Sequence, residues 1–444
     1  MKGDGTMSRK KLIFFLLFVV AILLTGCNMS TIDQMYCLPK RSEDYLNLQT
    51  AMDNAMTGLE YHAPIAGDHQ QPVQMVDLDG DENEECLVFA KGSGEKPLKI
   101  LIFAQVQNEY VLAGTIENNG TAFEQVQYVS FTGRKGVDLV VGRQVSDQVV
   151  RPVSVYTLYQ GRMEQILTTQ YSRFVTTDLN QDGKSELLIL RPGEAPASNG
   201  IAELFSIQDG VLERSQEVTM SEPADKIKRI MINRLGDGPA AVYVASDVKG
   251  TAIITDVFAL LNGTFTNVSL SNESGTSVQT LRNYYVYADD VDEDGVLELP
   301  DLLPMANAGD TTLTNQYLIR WYAMQSDGSE VNKSYTYHSF PGGWYMELPY
   351  EIAPLMSVEQ YGNSYEFSVR GADGHVTKLM TLYSFTGQER EEQAVADNRF
   401  VLYRTDSTVY AGHLEVASAA YNLTQESLIH AFHLITQDLI NGEI

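Results

Sequence analysis

Three stretches of this chain align without a gap: DLDGDENEECLVF from Asp77, DLNQDGKSELLIL from Asp178 and DVDEDGVLELPDL from Asp290. Their starts lie 101 and 112 residues apart. Two weaker relatives sit between them, VSFTGRKGVDLVVG from Val129 and INRLGDGPAAVYVAS from Ile232. Both keep the order strand, glycine turn, apolar strand, but have lost most of the acids. The repeat period is therefore about 50–55 residues. Such a period constrains the fold strongly, because each unit must bury its faces against its neighbours.

The units share one grammar. A strand enters the turn (VQMV, RFVTT, YYVYA) and another leaves it (CLVFA, LLIL, AVYVA). One or two more follow, as in LKILIFAQVQNEYVLAGTI and VSVYTLYQGRMEQIL. Four strands joined by short Gly/Asn turns is the content of a propeller blade. Five such units fill about 72–343. The expected class is mainly β, a propeller of about five to seven four-stranded blades. The repeat region is set at 62–343. The rest, 344–444, lacks the acidic turn and is expected to form an α+β module, or further degenerate blades plus a helix. Strand-like runs fall at Tyr365–Arg370, Val376–Phe385, Phe400–Arg404 and Val409–Val416. A closing helix is expected after Thr424, with Leu428, Phe432, Ile435 and Leu439 along one face. A short amphipathic helix is expected over 43–59.

The start of the chain reads as an address. Arg9, Lys10 and Lys11 precede an apolar run from Leu12 to Leu24, too short to span a bilayer comfortably. Leu24-Thr25-Gly26-Cys27 follows. The combination resembles the lipobox of bacterial lipoproteins. That resemblance implies cleavage of a 1–26 signal peptide and lipidation of Cys27; residues 27–61 then read as the lipidated tether and the short helix. The implied place is the outer face of the bacterial cytoplasmic membrane, held by the lipid anchor. Without the leader's four basic and one acidic residue, the net charge of −27 becomes −30. Such a surface repels nucleic acid and attracts cations. Spacing alone leaves open whether Cys37 and Cys86 pair, but Cys86 opens an apolar strand and is expected as a buried thiol.

The acidic turns carry the chemistry. In the second, Asp178, Asn180 and Asp182 alternate, Gly183 permits a sharp reversal, Lys184 offers its carbonyl and Glu186 closes the set. Carboxylates, an amide oxygen and a main-chain carbonyl are the ligands of a hard cation. Transition metals would draw on His or Cys, which this loop lacks. The third turn supplies Asp290, Asp292, Asp294, Val296 and Glu298, with Gly295 at the reversal. The first supplies Asp77, Asp79, Asp81, Asn83 and Glu85, but carries Glu82 where the others have glycine. The pattern resembles FG-GAP/VCBS repeats, found in integrin-α-type propellers. The resemblance covers about 270 residues and implies structural calcium held by these residues between two strands of a blade.

Nothing else rises to a site. The seven histidines are scattered; His430 and His433 have the spacing of a metal pair on a helix but no evident third ligand. No G-x-S-x-G, H-E-x-x-H or P-loop occurs. The aromatic runs 283–287 and 344–350 suit either a sugar-binding face or a sheet core. The leading expectation is a lipid-tethered, calcium-stabilised module binding a protein or glycan. The alternatives are a polysaccharide-active enzyme, glycosidase or lyase, on the same scaffold, and an envelope assembly factor.

Overall fold

The computed structural model describes residues 43–145, 150–195, 198–284, 286–306 and 313–435. The leader, Cys27 and Cys37 lie outside them. Helix α1 (Glu43–Ala55) comes first. The first sheet contains β1 (Glu60–Tyr61), β2 (Val73–Val76), β3 (Glu85–Lys91), β4 (Leu98–Val106) and β5 (Glu109–Asn118). Both β1 and β2 pair with β3, which is followed outward by β4 and β5. The second sheet is β6 (Ala122–Val129), β7 (Asp138–Gln144), β8 (Arg151–Tyr159) and β9 (Arg162–Tyr171). The third is β10 (Arg173–Thr177), β11 (Glu186–Arg191), β12 (Ile201–Gln208) and β13 (Val211–Thr219). The fourth is β14 (Ile227–Arg234), β15 (Ala240–Val248), β16 (Ala252–Leu261) and β17 (Thr264–Asn267).

The fifth sheet is β18 (Leu299–Ala306), β19 (Leu313–Met324), β20 (Glu330–Ser339) and β21 (Trp344–Glu347). The sixth holds β22 (Met356–Tyr361), β23 (Ser364–Arg370), β24 (Val376–Thr386), β25 (Phe400–Arg404) and β26 (Thr408–Leu414), with α2 (Arg390–Val395) between β24 and β25. Helix α3 (Gln425–Ala431) and β27 (Phe432–Leu434) follow, and β27 adds to the edge of β21. All these sheet pairings are antiparallel. The chain is thus mainly β, built of sheets of four or five strands.

The sheets pack face to face in chain order, and the continuous apolar runs explain how. In β11, Leu187 and Ile189 pack on the second sheet, while Leu188 and Leu190 pack on the fourth. In β15, Val242 and Val244 face the third sheet, and Ala241 and Tyr243 the fifth. Successive side chains of a strand point to opposite faces, so a strand covered on both sides reads as unbroken hydrophobicity. In β3, Leu87 and Phe89 meet Phe123 and Leu139 of the second sheet. Cys86 and Val88 point the other way, onto Met52 of α1. Helix α2 does the same for the sixth sheet, where Ala394 packs on Val409 and Ala411. Cys86 is a buried free thiol, and burial pushes it up to about 11.

Two expectations change. The described residues of the entering run YYVYA, Tyr284 and Val286 to Ala288, lie in no strand, and one antiparallel bridge, Asp289 to Glu298, follows them. The Val286 carbonyl instead accepts from the Nε of the buried Arg282 guanidinium. The closing helix begins at the expected cap, since Thr424 and Ser427 form a reciprocal capping box. It ends at Ala431, and Phe432–Leu434 turns into strand β27. The open edge of β21 takes up these residues, with Phe432 stacked on Trp344 at 5.6 Å between ring centres. Leu439 lies outside the described residues. The four strand-like runs after residue 360 fall on β23, β24, β25 and β26.

Candidate metal centres

Loop 77–85 joins β2 to β3, loop 178–186 joins β10 to β11, and loop 290–298 leads directly into β18. All three follow one backbone plan. The fourth residue, Gly80, Gln181 or Glu293, has φ of 76°, 60° or 58°. The sixth, Glu82, Gly183 or Gly295, has φ of 75°, 84° or 81°. Glu82 therefore takes the same left-handed conformation as the glycines it replaces, at some steric cost. Gly80 has a second reason to be glycine: a Cβ there would lie 2.3 Å from the Cβ of Lys135 and 2.5 Å from the nitrogen of Gly136 in the second sheet's turn.

The acids hold the loops in shape. Oδ2 of the first aspartate accepts the N–H of the sixth residue: Asp77 from Glu82 at 3.0 Å, Asp178 from Gly183 at 2.8 Å, Asp290 from Gly295 at 2.9 Å. Asn83, Lys184 and Val296, at equivalent positions, donate their N–H groups at 2.8 Å to Oδ1 of Asp81, Asp182 and Asp294. The final glutamate reaches back to the second residue: Leu78 and Leu179 donate to Glu85 and Glu186 at 2.8 Å, and Val291 to Glu298 at 2.9 Å. These glutamates are buried, Glu298 completely.

A buried carboxylate beside other carboxylates is costly. Burial first, and then the neighbouring aspartates, push Glu85 and Glu298 up to about 7. Glu186 is raised for the same reasons. Its loop has a remedy, because Asn180 Nδ2 donates to Glu186 Oε1 at 2.8 Å. The corresponding residues Asp79 and Asp292 cannot donate when ionised. Glu298 Oε1 and Asp290 Oδ1 are buried without a hydrogen-bond partner. Oxygens of Asp77, Asp79 and Glu85 lie within 4.8 Å of one another, as do those of Asp290, Asp292 and Asp294. Among the described residues these are the two groups of three or more potential metal-ligating side chains.

The third loop has a basic partner from outside. Lys333 on β20 bonds Asp294 Oδ2, and its Nζ lies 3.6 Å from Asp292 Oδ2. This bond holds the Asp294 carboxyl below its ordinary range. Lys333 is 39 residues from Asp294 in sequence, and no local pattern announces it. Sequence reasoning also missed Asp138, the one acid kept by the second sheet's turn. Asp138 Oδ2 accepts from Phe131 N at 2.9 Å and Thr132 N at 3.1 Å, closing that turn as the glutamates close the acidic ones. In the fourth sheet's turn the backbone closes on itself, Leu235 N to Pro239 O at 2.9 Å.

The loops touch between sheets. Val137 N donates to Leu78 O at 3.3 Å, and Ser185 N to Ser130 O at 2.7 Å. Leu297 N donates to Asn233 Oδ1 at 3.3 Å. Cys86, though adjacent to Glu85, faces α1. His430 is exposed on α3, whereas His433 lies on β27, stacked on Tyr345 at 4.9 Å between ring centres and 3.5 Å from Glu347. The two do not share a helix. Of the aromatic runs, Trp344 and Tyr287 are buried and Tyr350 is exposed. Among the described residues, no helix is long and apolar enough to cross a membrane.

No protein-family model matches the chain, and no curated protein matches its sequence. Among solved structures, a protein from Lactobacillus plantarum aligns with TM-score 0.28 and 10% identity, over 71% of this chain and 85% of its own. An exotype rhamnogalacturonan lyase aligns with TM-score 0.27 and 11% identity, over 72% and 68%. A rhamnogalacturonan lyase from Bacillus licheniformis aligns with TM-score 0.27 and 11% identity, over 72% and 71%. Likeness this distant leaves function to be argued from the chain's own residues.

Proposed function

We propose that this chain is a lipid-anchored repeat protein of the FG-GAP/VCBS kind, with its sheets as the blades of a propeller and its acidic loops stiffened by calcium. It serves outside the cytoplasmic membrane as a binding module for a protein or glycan. The observation that carries the calcium reading is the surplus of carboxylate in the loops. Glu298 Oε1 and Asp290 Oδ1 are buried without a partner beside two further aspartates. The donors are all oxygen, which suits a hard cation. Asp77, Asp79, Asp81 and Glu85, then Asp178, Asn180, Asp182 and Glu186, then Asp290, Asp292, Asp294 and Glu298 would hold the ions, with the carbonyls of Asn83, Lys184 and Val296. The bound ion supplies charge that offsets the crowded carboxylates. Extracellular modules bind calcium at about 10⁻⁴–10⁻³ M, so the loops would fill outside a cell.

Calorimetric titration of the full chain with calcium tests this reading. Binding is expected, reduced by Asp290→Ala and by Asp178→Ala. A wild-type chain that takes up no calcium would end it. The anchor is tested separately: Cys27→Ser is expected to move the protein from the membrane fraction to the soluble fraction. Equal partitioning of wild type and variant would remove the tether from the account. A glycan array probed with the full chain then examines the ligand class.

A further inference from the structure

Among the described residues, the third acidic loop differs from the others in its ion pairing. Lys333 projects from β20 onto Asp292 and Asp294, whereas no lysine or arginine is ion-paired with the acids of the first two loops. The ammonium bonds Asp294 Oδ2 and approaches Asp292 Oδ2 to 3.6 Å. It leaves the inner oxygens, Asp290 Oδ1 and Glu298 Oε1, buried and unpartnered. The loop thus has an outer pair of carboxylates with a counter-ion and an inner pair without one.

We propose that Lys333 is a built-in competitor for the divalent cation of the third loop. This inference rests on the calcium reading above. A monovalent ammonium on a flexible stem and a divalent ion draw on the same oxygens, so filling the loop requires Lys333 to withdraw. Two consequences follow. The third loop binds calcium more weakly than its own acids would allow. It also stays ordered when calcium is scarce, because the lysine relieves part of the repulsion. The residue therefore sets the calcium concentration at which this loop fills, relative to the first.

The test uses the full chain carrying Asp77→Ala and Asp178→Ala, so that the third loop alone reports. Calcium is titrated with Lys333 present and replaced by methionine, glutamine or arginine. Lys333→Met and Lys333→Gln are expected to tighten binding about tenfold, the scale of one nearby charge in a partly exposed site. Lys333→Arg is expected to stay close to the parent. In EDTA, Lys333→Met is expected to lower Tm, and calcium to restore it. A merely structural lysine would lower Tm equally in both conditions, which would overturn the proposal, as would unchanged or weaker binding in both neutral variants. If the chain with all three loops intact binds no calcium, the calcium reading falls and takes this inference with it. If the chain binds but Lys333 makes no difference, only this inference falls.

Discussion

The turn of the second sheet and the acidic loop leading into the fifth do the same structural work with different numbers of charges. In the second sheet a single carboxylate, Asp138, accepts two backbone N–H groups and is satisfied. In the fifth, Glu298 performs that closing role with one oxygen, while three aspartates crowd beside it. The fourth sheet's turn closes with no acid in the role at all. A turn at this place can therefore close without the extra carboxylates, which in the acidic loop also accept backbone N–H groups. Acids beyond those that close such a turn, and that together with burial push the Glu298 carboxyl up, are intelligible as ligands.

Removing calcium should separate the two kinds of turn most sharply. At a hundredfold excess over Kd each filled loop contributes about 2.7 kcal/mol, so EDTA should lower Tm by many degrees. A Tm indifferent to EDTA would erase the distinction. The pH dependence should then change with the ion. Glu85 and Glu298 are raised from 4.5 to about 7, so the calcium-free folded chain keeps protons that the unfolded chain releases. The contribution of these two glutamates to stability is fullest below about pH 4.5 and is lost as pH rises towards about 7. With calcium holding these carboxylates ionised, that decline should vanish. Urea melts at pH 5 and 7.5, each with and without calcium, check the sign.

Asp138→Ala leaves two N–H groups of the second turn without their acceptor. It should cost about 2 kcal/mol, equally in calcium and in EDTA, by chemical denaturation. A calcium-dependent cost would mean that this turn too is a metal loop. The smallest expected effect is in the second acidic loop. Asn180→Asp removes the amide that bonds Glu186 and makes the loop resemble the third. Calcium affinity there should rise about tenfold, or 1.4 kcal/mol, while Tm in EDTA falls. Unchanged binding would deny Asn180 its moderating role.

Much of this was legible in sequence because it is local. The alternating acids, the closing glutamate eight positions on, and the two-faced runs such as LLIL all lie within one unit, and the period is the spacing at which these units recur. Glu82 looked like a defect, yet its φ of 75° matches the glycines, since the hydrogen bonds to Asp77 impose the loop's shape. What sequence concealed is non-local. Lys333 arrives from another hairpin. The entering run of the fifth sheet gives up a carbonyl to Arg282. Phe432 had helical spacing from Leu428, but the edge of β21 drew it into a strand, tertiary pairing overriding local pattern.

Crystals of the full chain grown in saturating calcium, measured at a wavelength where calcium scatters anomalously, test the central claim most directly. An anomalous peak is expected in each of the three acidic loops, and none in the turns that follow Val129 and Ile232. Three loops without a peak at saturating calcium would contradict it.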